Sequence, residues 1–360
     1  MLSMRRVGLD VHGKETTAVV LDGISGELSV RRIVGRPDRV LDWLAGLERP
    51  FQAVYEAGPT GYGLARGAAE RGLDVVVCSP GHIRKHPGDR VKTDRRDAER
   101  LARLLIAGEL RQVRVPTPEE EQLRDLVRSR EDLRVDLMRC RHRISKFLLR
   151  RELYYPTGGG AWTGRHRDWL STLHFADEAS EIVLADALSA HDWMLARRDQ
   201  LERSLCELAE HSPWAETISR LRCLRGINTL SAVGLIAEIG DFERFSHPRK
   251  LAGFLGLVPS EETSGEVRRQ GAITKAGSKH ARRLLVEAGW HYRNPPRISK
   301  DLERRQRGQD PRAIDAAWRC QRRLYQRWQR LDQERGKRRT LVAVAVAREL
   351  SAYCWEIATL

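Results

Sequence analysis

Three short runs near the start of the chain, RRVGLDVH, TTAVVLD and LSVRRIVG, alternate apolar and polar positions with a period of two, which predicts a meander of three strands. Helical spacing follows over Asp38 to Leu47, with Val40, Leu41, Leu44 and Leu47 on one side. FQAVYEAG then reads as a strand, GYGLARGAAERG as a helix stopped at Gly72, and LDVVVCSP as a fifth strand ended by Pro80. Three antiparallel strands followed by alternating helix and strand match the order of a ribonuclease-H-like fold. This α/β section is expected to span residues 1–117.

Residues 118–222 read as almost entirely helical. Leu123, Leu126, Leu133, Leu137, Ile144, Phe147 and Leu148 recur near helical spacing, with charges on the other faces. YYPTGGGAWTG interrupts the pattern, because proline and three glycines cannot continue a helix. A second amphipathic stretch runs from about Ala179 to Ala209. Two long helices around a short crossing predict an antiparallel coiled-coil arm, whether dimerising or packed on its own core.

Residues 223–360 form a third, mainly helical section. LRGINTLSAVGLIAEIG reads as a helix-hairpin-helix turning at Gly226, a motif that can offer backbone N–H groups to a phosphate. A plain helical packing unit would carry the same pattern. Towards the end, Trp318, Tyr325 and Trp328 interleave with Arg319, Arg322, Arg323, Arg327 and Arg330. The spacing suits base stacking with phosphate clamping, and equally an ordinary amphipathic helix.

Charge narrows the choice of partner. The 360 residues carry 64 Lys and Arg against 49 Asp and Glu, a formal net charge of +15. Nine of the basic residues are Lys, so arginine dominates, and its planar fork donates to phosphate in pairs. A GC-rich genome would favour Arg over Lys but would not create the surplus of positive charge. A polyanionic partner, nucleic acid, is therefore expected. No stretch approaches the roughly 18 apolar residues of a membrane span, so no membrane association is expected. Six cysteines without metal-ligand spacing, and a start with no export signal, point to a reducing cytoplasm.

Four acids give this basic chain its chemistry. Asp10 follows the strand VGL, Glu56 ends the fourth strand, and Asp94 and Asp97 lie three apart on a predicted helix, facing one way. In the expected topology the first and fourth strands are neighbours, so the four carboxylates can converge. Together they would hold two Mg²⁺ ions, about 3.5–4 Å apart, as in two-metal phosphoryl transfer. Lys92, Arg95 and Arg96 flank the aspartates and are candidates to hold the scissile phosphate, although such a run also suits a solvated surface. His12 lies two residues beyond Asp10 on the same strand face, where it could contact a metal-bound water, but such a histidine is more often merely hydrogen-bonded and is not counted among the site residues.

A second cluster is the serine-rich turn PSEETSG. Ser264 is followed by Arg268 and Arg269, with Lys275 and Lys279 further on as candidate contacts to nucleic acid. A serine hydroxyl is a weak nucleophile without a base, and no His or Asp adjoins this one. From spacing alone it reads as a polar loop residue.

As a whole, GLDVH, YEAGPTG, KTDRRDAERLA, LRGINTLSAVGLIAEIGDFERF and LAGFLGLVPSEETSG…GAITKAGSKHARRLLVEAGW resemble, in this order, the DEDD transposases of the insertion-sequence one-ten family, also called bridge-RNA-guided recombinases. The resemblance covers nearly the full chain. It implies a RuvC-like N-terminal domain, a coiled-coil arm and a C-terminal transposase domain. It assigns the four acids to Asp10, Glu56, Asp94 and Asp97, and the nucleophile to Ser264 ahead of Ser260. It further implies a phosphoserine intermediate, donor and target DNA as substrates, a non-coding bridge RNA that pairs with both, and a homodimer that assembles into a homotetramer. The Arg-rich segment from Asp301 to Arg312 departs from the family pattern. The rival readings are a metal-dependent nuclease or junction resolvase using the four acids alone, and a non-catalytic nucleic-acid-binding protein.

Overall fold

The structure, a computed structural model, describes residues 4–82, 93–156, 160–264 and 267–360, with the backbone alone at 82, 262–264 and 267–269. The chain divides into two compact units, Met1–Thr117 and Pro118–Leu360.

In the first unit, β1 (Arg5–Val11), β2 (Glu15–Leu21) and β3 (Leu28–Val34) form an antiparallel meander. After α1 (Pro37–Ala45) the chain returns as β4 (Phe51–Glu56), parallel to β1. After α2 (Gly63–Glu70) it returns as β5 (Val75–Cys78), parallel to β4. The strand order β3-β2-β1-β4-β5 is the ribonuclease-H-like arrangement. β3 is an edge strand whose Arg31 and Arg32 face water, which discourages pairing with another chain.

The period-two alternation decides which helix covers which face. Val7, Leu9, Ala53 and Tyr55 share one face and pack with Val40, Leu41 and Leu44 of α1 and Leu64, Ala65 and Ala68 of α2. Val54 and Cys78 share the other face and pack with Leu101 and Leu105 of α3 (Asp94–Ala107). Thr93 caps α3, its Oγ1 accepting from the Arg96 N–H at 3.3 Å, and Gly108 closes it in a left-handed conformation.

The second unit is helical apart from one hairpin. α4 (Pro118–Leu149) and α6 (Glu178–His211) run antiparallel, with α5 (Gly164–Ser171) near their junction. Their direction follows from the pairs along them: Arg130 with Glu202, Arg141 with His191, and Arg151 with Ser180. At 1.5 Å per residue each helix is about 50 Å long. Cys140, Ile144, Phe147 and Leu148 meet Leu184 and Leu188 in a local core closed by Leu170.

The larger core surrounds α8 (Thr229–Ile239), which is buried from Ala232 to Ile239. α7 (Ala215–Leu221), α9 (Pro248–Phe254), α10 (Lys279–Gly289), α12 (Pro311–Gln329) and α13 (Arg339–Ala358) contribute to that core; the short α11 (Lys300–Gln306) adds the buried Leu302 and Gln306 nearby. The base-stacking reading of α12 needs correction at Trp328. This side chain is 2% exposed and packs against Trp290, ring centroids 5.4 Å apart. Neighbouring arginines are occupied within the protein: Arg319 pairs with Asp315 and Glu356, and Arg323 and Arg327 both meet Glu349.

PSEETSG differs from the expected polar turn. Pro259–Ser264 is a strand, β6, paired antiparallel with β7 (Val267–Ile273). Cross-strand backbone pairing, which residue types alone did not announce, makes the difference. At the root of this hairpin Thr274 N–H donates to Val258 at 2.9 Å and Lys275 N–H to Gly256 at 3.1 Å. Gly256, at φ +65°, leaves no room for a side chain, since a Cβ there would fall 2.3 Å from the backbone of Ala276.

No helix among the described residues is long and apolar enough to cross a membrane. All six cysteines are free thiols.

Candidate metal centre and nucleic-acid contacts

Register in the parallel β1–β4 pair sets the geometry of the first unit's site. Leu9 lies opposite Tyr55, and both side chains are fully buried on the α1–α2 face. The next residues, Asp10 and Glu56, therefore point to the opposite face, the one α3 covers. Gly8 shares that face with Asp10. A Cβ on Gly8 would sit 1.8 Å from the Ala98 carbonyl oxygen, so its absence lets the α3 backbone lie directly on β1. This contact brings the first turn of α3, with Asp94 and Asp97, to the end of β1.

The side chains form a small anionic cluster with one imidazole. His12 Nε2 lies 3.3 Å from Asp10 Oδ2 and 3.9 Å from Asp94 Oδ1. Asp10, His12 and Asp94 each offer one ligand atom, all within 4.8 Å of one another. Octahedral coordination at 2.0–2.1 Å would place ligand atoms about 2.9 Å apart along an edge and about 4.1 Å across. A small contraction of this cluster would therefore seat a divalent cation.

Electrostatics agree with that fit. Burial raises the Asp10 carboxyl above its ordinary value, His12 draws it down, and the charges of Asp94 and Asp97 push it up again, with a net upward shift. A carboxylate strained by neighbouring carboxylates is one that a cation would relieve. Asp97, although outside the group of three, thus acts on Asp10; its Oδ1 is also 3.8 Å from Arg100 Nη1. Glu56 ends β4 exposed beside Cys78. Burial, with the Glu56 charge adding to it, pushes the Cys78 thiol up to about 12.

The remaining candidates lie as follows. Lys92 falls outside the described residues. Arg95 and Arg96 are exposed on the first turn of α3. Ser264 ends β6 opposite Val267, and Arg268 and Arg269 pair in register with Thr263 and Glu262; at these positions the backbone alone is described. The hydroxyl of Ser260 lies over Gly271. Lys275 is exposed at the hairpin root and Lys279 opens α10, also exposed. Gly226 faces the Ala288 carbonyl and the His291 ring.

One charged assembly in the second unit was not anticipated. Glu238, on the buried α8, accepts from Arg128 of α4 at 3.2 and 3.3 Å. His280 of α10 lies between Glu238 and Glu131, 3.8 Å from each, and Arg283 reaches Glu131 at 2.6 Å. Burial alone would raise the Glu238 carboxyl; His280 and Arg128 outweigh it and hold it at about 2. A lone acid inside the apolar run TLSAVGLIAEIG was the available signal, since a buried carboxylate needs partners.

Comparison with known proteins bears on both units. A family profile described as "Transposase", for the DEDD domain of IS110 elements, matches residues 7–151. A second, described as "Transposase IS116/IS110/IS902 family", matches residues 218–303. The protein y4qE of Sinorhizobium fredii, named as a transposase, is 40% identical over 98% of this chain and 88% of its own. The transposase for insertion sequence element IS1533 of Leptospira borgpetersenii is 31% identical over 92% of this chain and 97% of its own. Full-length likeness at this level, carried by a domain whose strand order and acids have just been described, places the chain in the IS110/IS116/IS902 family of transposases.

Proposed function

We propose that this transposase cuts and rejoins donor and target DNA by metal-assisted phosphoryl transfer at Asp10, Glu56, Asp94 and Asp97, with Ser264 as nucleophile and a bridge RNA choosing the sites. The observation that carries the reading is the convergence of Asp10 and Asp94 with His12 at the end of β1. The four acids would hold Mg²⁺, two ions per site. Bound there, the cations would neutralise charge on the phosphate and on the departing oxygen.

The chain's own groups divide the remaining work. The carboxylates fix the phosphodiester in place, with Arg95 and Arg96 adding positive charge beside it. The Ser264 Oγ–phosphorus bond forms as a phosphorus–deoxyribose oxygen bond breaks. The serine proton passes to a base, and the freed sugar hydroxyl takes up a proton. Attack by a second strand's hydroxyl reverses the step and releases the serine. In this reading residues 1–117 supply the acids, 118–222 a coiled-coil arm joining protomers towards a tetramer, and 223–360 the serine, with a helix-hairpin-helix at Gly226 holding nucleic-acid backbone. The arginine surplus supports an RNA partner, because a guide duplex is held by its backbone.

The test is covalent linkage. Protein, Mg²⁺, element-end DNA, target DNA and the RNA encoded beside the gene are combined, and protein–DNA adducts are resolved under denaturing conditions. Wild type should give an adduct and joined product, Ser264→Ala neither, and Asp10→Asn neither. Cleavage that persists in Ser264→Ala without any adduct would instead establish the hydrolytic resolvase reading.

A further inference from the structure

The turn between α7 and α8, the segment after α10 and the helix α11 enclose a cleft of about 320 Å³. Arg225, Asn228, His291, Arg297, Asp301 and Arg305 line it. Three guanidinium groups thus face one carboxylate. We propose that this cleft is a seat for a nucleic-acid backbone phosphate; the proposal deepens the nucleic-acid reading given above and rests on it.

The arginines are held mainly by groups that do not neutralise them. Arg225 Nη1 donates to the carbonyls of Asn294 and Pro295 at 3.3 and 2.9 Å. Arg305 Nη1 donates to the Ile227 carbonyl, while its buried Nε lies 3.2 Å from Asp301 Oδ2 without the alignment of a hydrogen bond. Asp301 is shared between Arg304 at 2.7 Å and Arg305 at 3.2 Å. The Arg297 guanidinium has no ion pair among the described residues, and its backbone N–H is anchored by Gln321 at 3.2 Å. Backbone carbonyls orient a guanidinium and leave its charge available, as a phosphate site requires.

Electrostatics record the crowding. Burial lowers the Arg225 guanidinium, Tyr292 opposes this, and the nearby Arg297 charge adds a smaller lowering. Burial also lowers Arg305, with Asp301 opposing and Arg222 and Arg304 reinforcing. His291 is shifted down by desolvation and then by the charges of Arg225, Arg293 and Arg305. Like charges gathered at a partly desolvated site are relieved by an anion, and α8 begins at the wall of this cleft with Asn228 as its cap. The planar forks suit phosphate, and the cleft has room for a phosphodiester with a flanking sugar.

The test compares full-length wild type, Arg297→Gln, Arg225→Gln/Arg297→Gln and the exposed control Arg338→Gln. Fluorescence anisotropy follows binding of labelled duplex DNA, single-stranded DNA and structured RNA over a series of KCl concentrations. Arg297→Gln should weaken at least one of these about 5-fold and flatten its slope of log K against log salt by about 0.7–0.9, the loss of one phosphate contact. The double variant should lose about twice that slope, and the polyanion affected identifies whether DNA or RNA occupies the cleft. Because Arg297 holds no ion pair, its variant should melt with wild type. An unchanged slope in Arg297→Gln, or an equal loss in Arg338→Gln, overturns the cleft and leaves the proposed function standing. Failure of wild type to bind any of the three overturns both.

Discussion

Gly8 of β1 lies so close beneath Ala98 of α3 that a Cβ on the glycine would reach within 1.8 Å of the alanine carbonyl oxygen. Backbone cannot yield as a flexible side chain does, so Gly8→Ala must push α3 away from the sheet. We expect a loss of about 1–3 kcal/mol, the usual cost of overpacking. Because α3 carries Asp94 and Asp97, the same variant should also bind Mn²⁺ more weakly by calorimetry. Wild-type metal affinity in Gly8→Ala would show that α3 does not set the site.

Asp10→Asn should separate stability from function. A carboxyl whose pKa is raised by folding contributes stability while protonated and loses it as pH rises through that pKa, so at neutral pH its charge works against the fold. Removing the charge should raise the melting temperature of the metal-free protein. Wild type should in turn gain about 2.7 kcal/mol from a divalent cation at 100 times its dissociation constant, and Asp10→Asn almost none. Differential scanning calorimetry with and without Mg²⁺ or Mn²⁺ reads both effects.

Glu238 gives the second unit an acid-sensitive joint. Its carboxyl is held at about 2 against an ordinary 4.5, so its contribution is fully present above about 4.5 and is lost as pH falls towards 2. Glu238→Gln keeps the shape, removes the charge and should cost about 2–4 kcal/mol at neutral pH. Denaturant titrations across that window should show a flatter pH dependence in the variant. Equal dependence in both proteins would remove Glu238 as the cause.

The two tryptophans of α12 should behave oppositely. Trp328→Ala removes a core side chain 2% exposed and should cost about 3–5 kcal/mol. Trp318 is 37% exposed, and Trp318→Ala should change stability by about 0.5 kcal/mol or less. If Trp318 stacks on a base, its variant will weaken single-strand binding with unchanged melting; if both measurements match wild type, it serves neither purpose.

Much of the first unit was legible because strand alternation does two jobs at once. It marks each strand, and it assigns Leu9 and Tyr55 to one face and Asp10 and Glu56 to the other. The DEDD transposase family was legible from motif order, and the comparisons bear it out. The β6–β7 hairpin was not, since its pairing is a backbone property written only weakly in PSEETSG. Nor was the division of labour along α12, where one helix carries both buried Trp328 and exposed Trp318. The joint at Glu238 and the cleft at Arg225 unite residues roughly 70–150 positions apart in sequence, a distance over which local periodicity carries no information.

The hairpin anchored at Gly256 has a geometric consequence. Ser264 stands at the far end of β6, five residue steps past Pro259, or about 17 Å at the usual rise of an extended chain. If Ser264 attacks as proposed, a ribbon of this length would let it engage a strand that its own helical base never touches, and lengthening or shortening it by a residue pair should move the point of attack without disturbing the core.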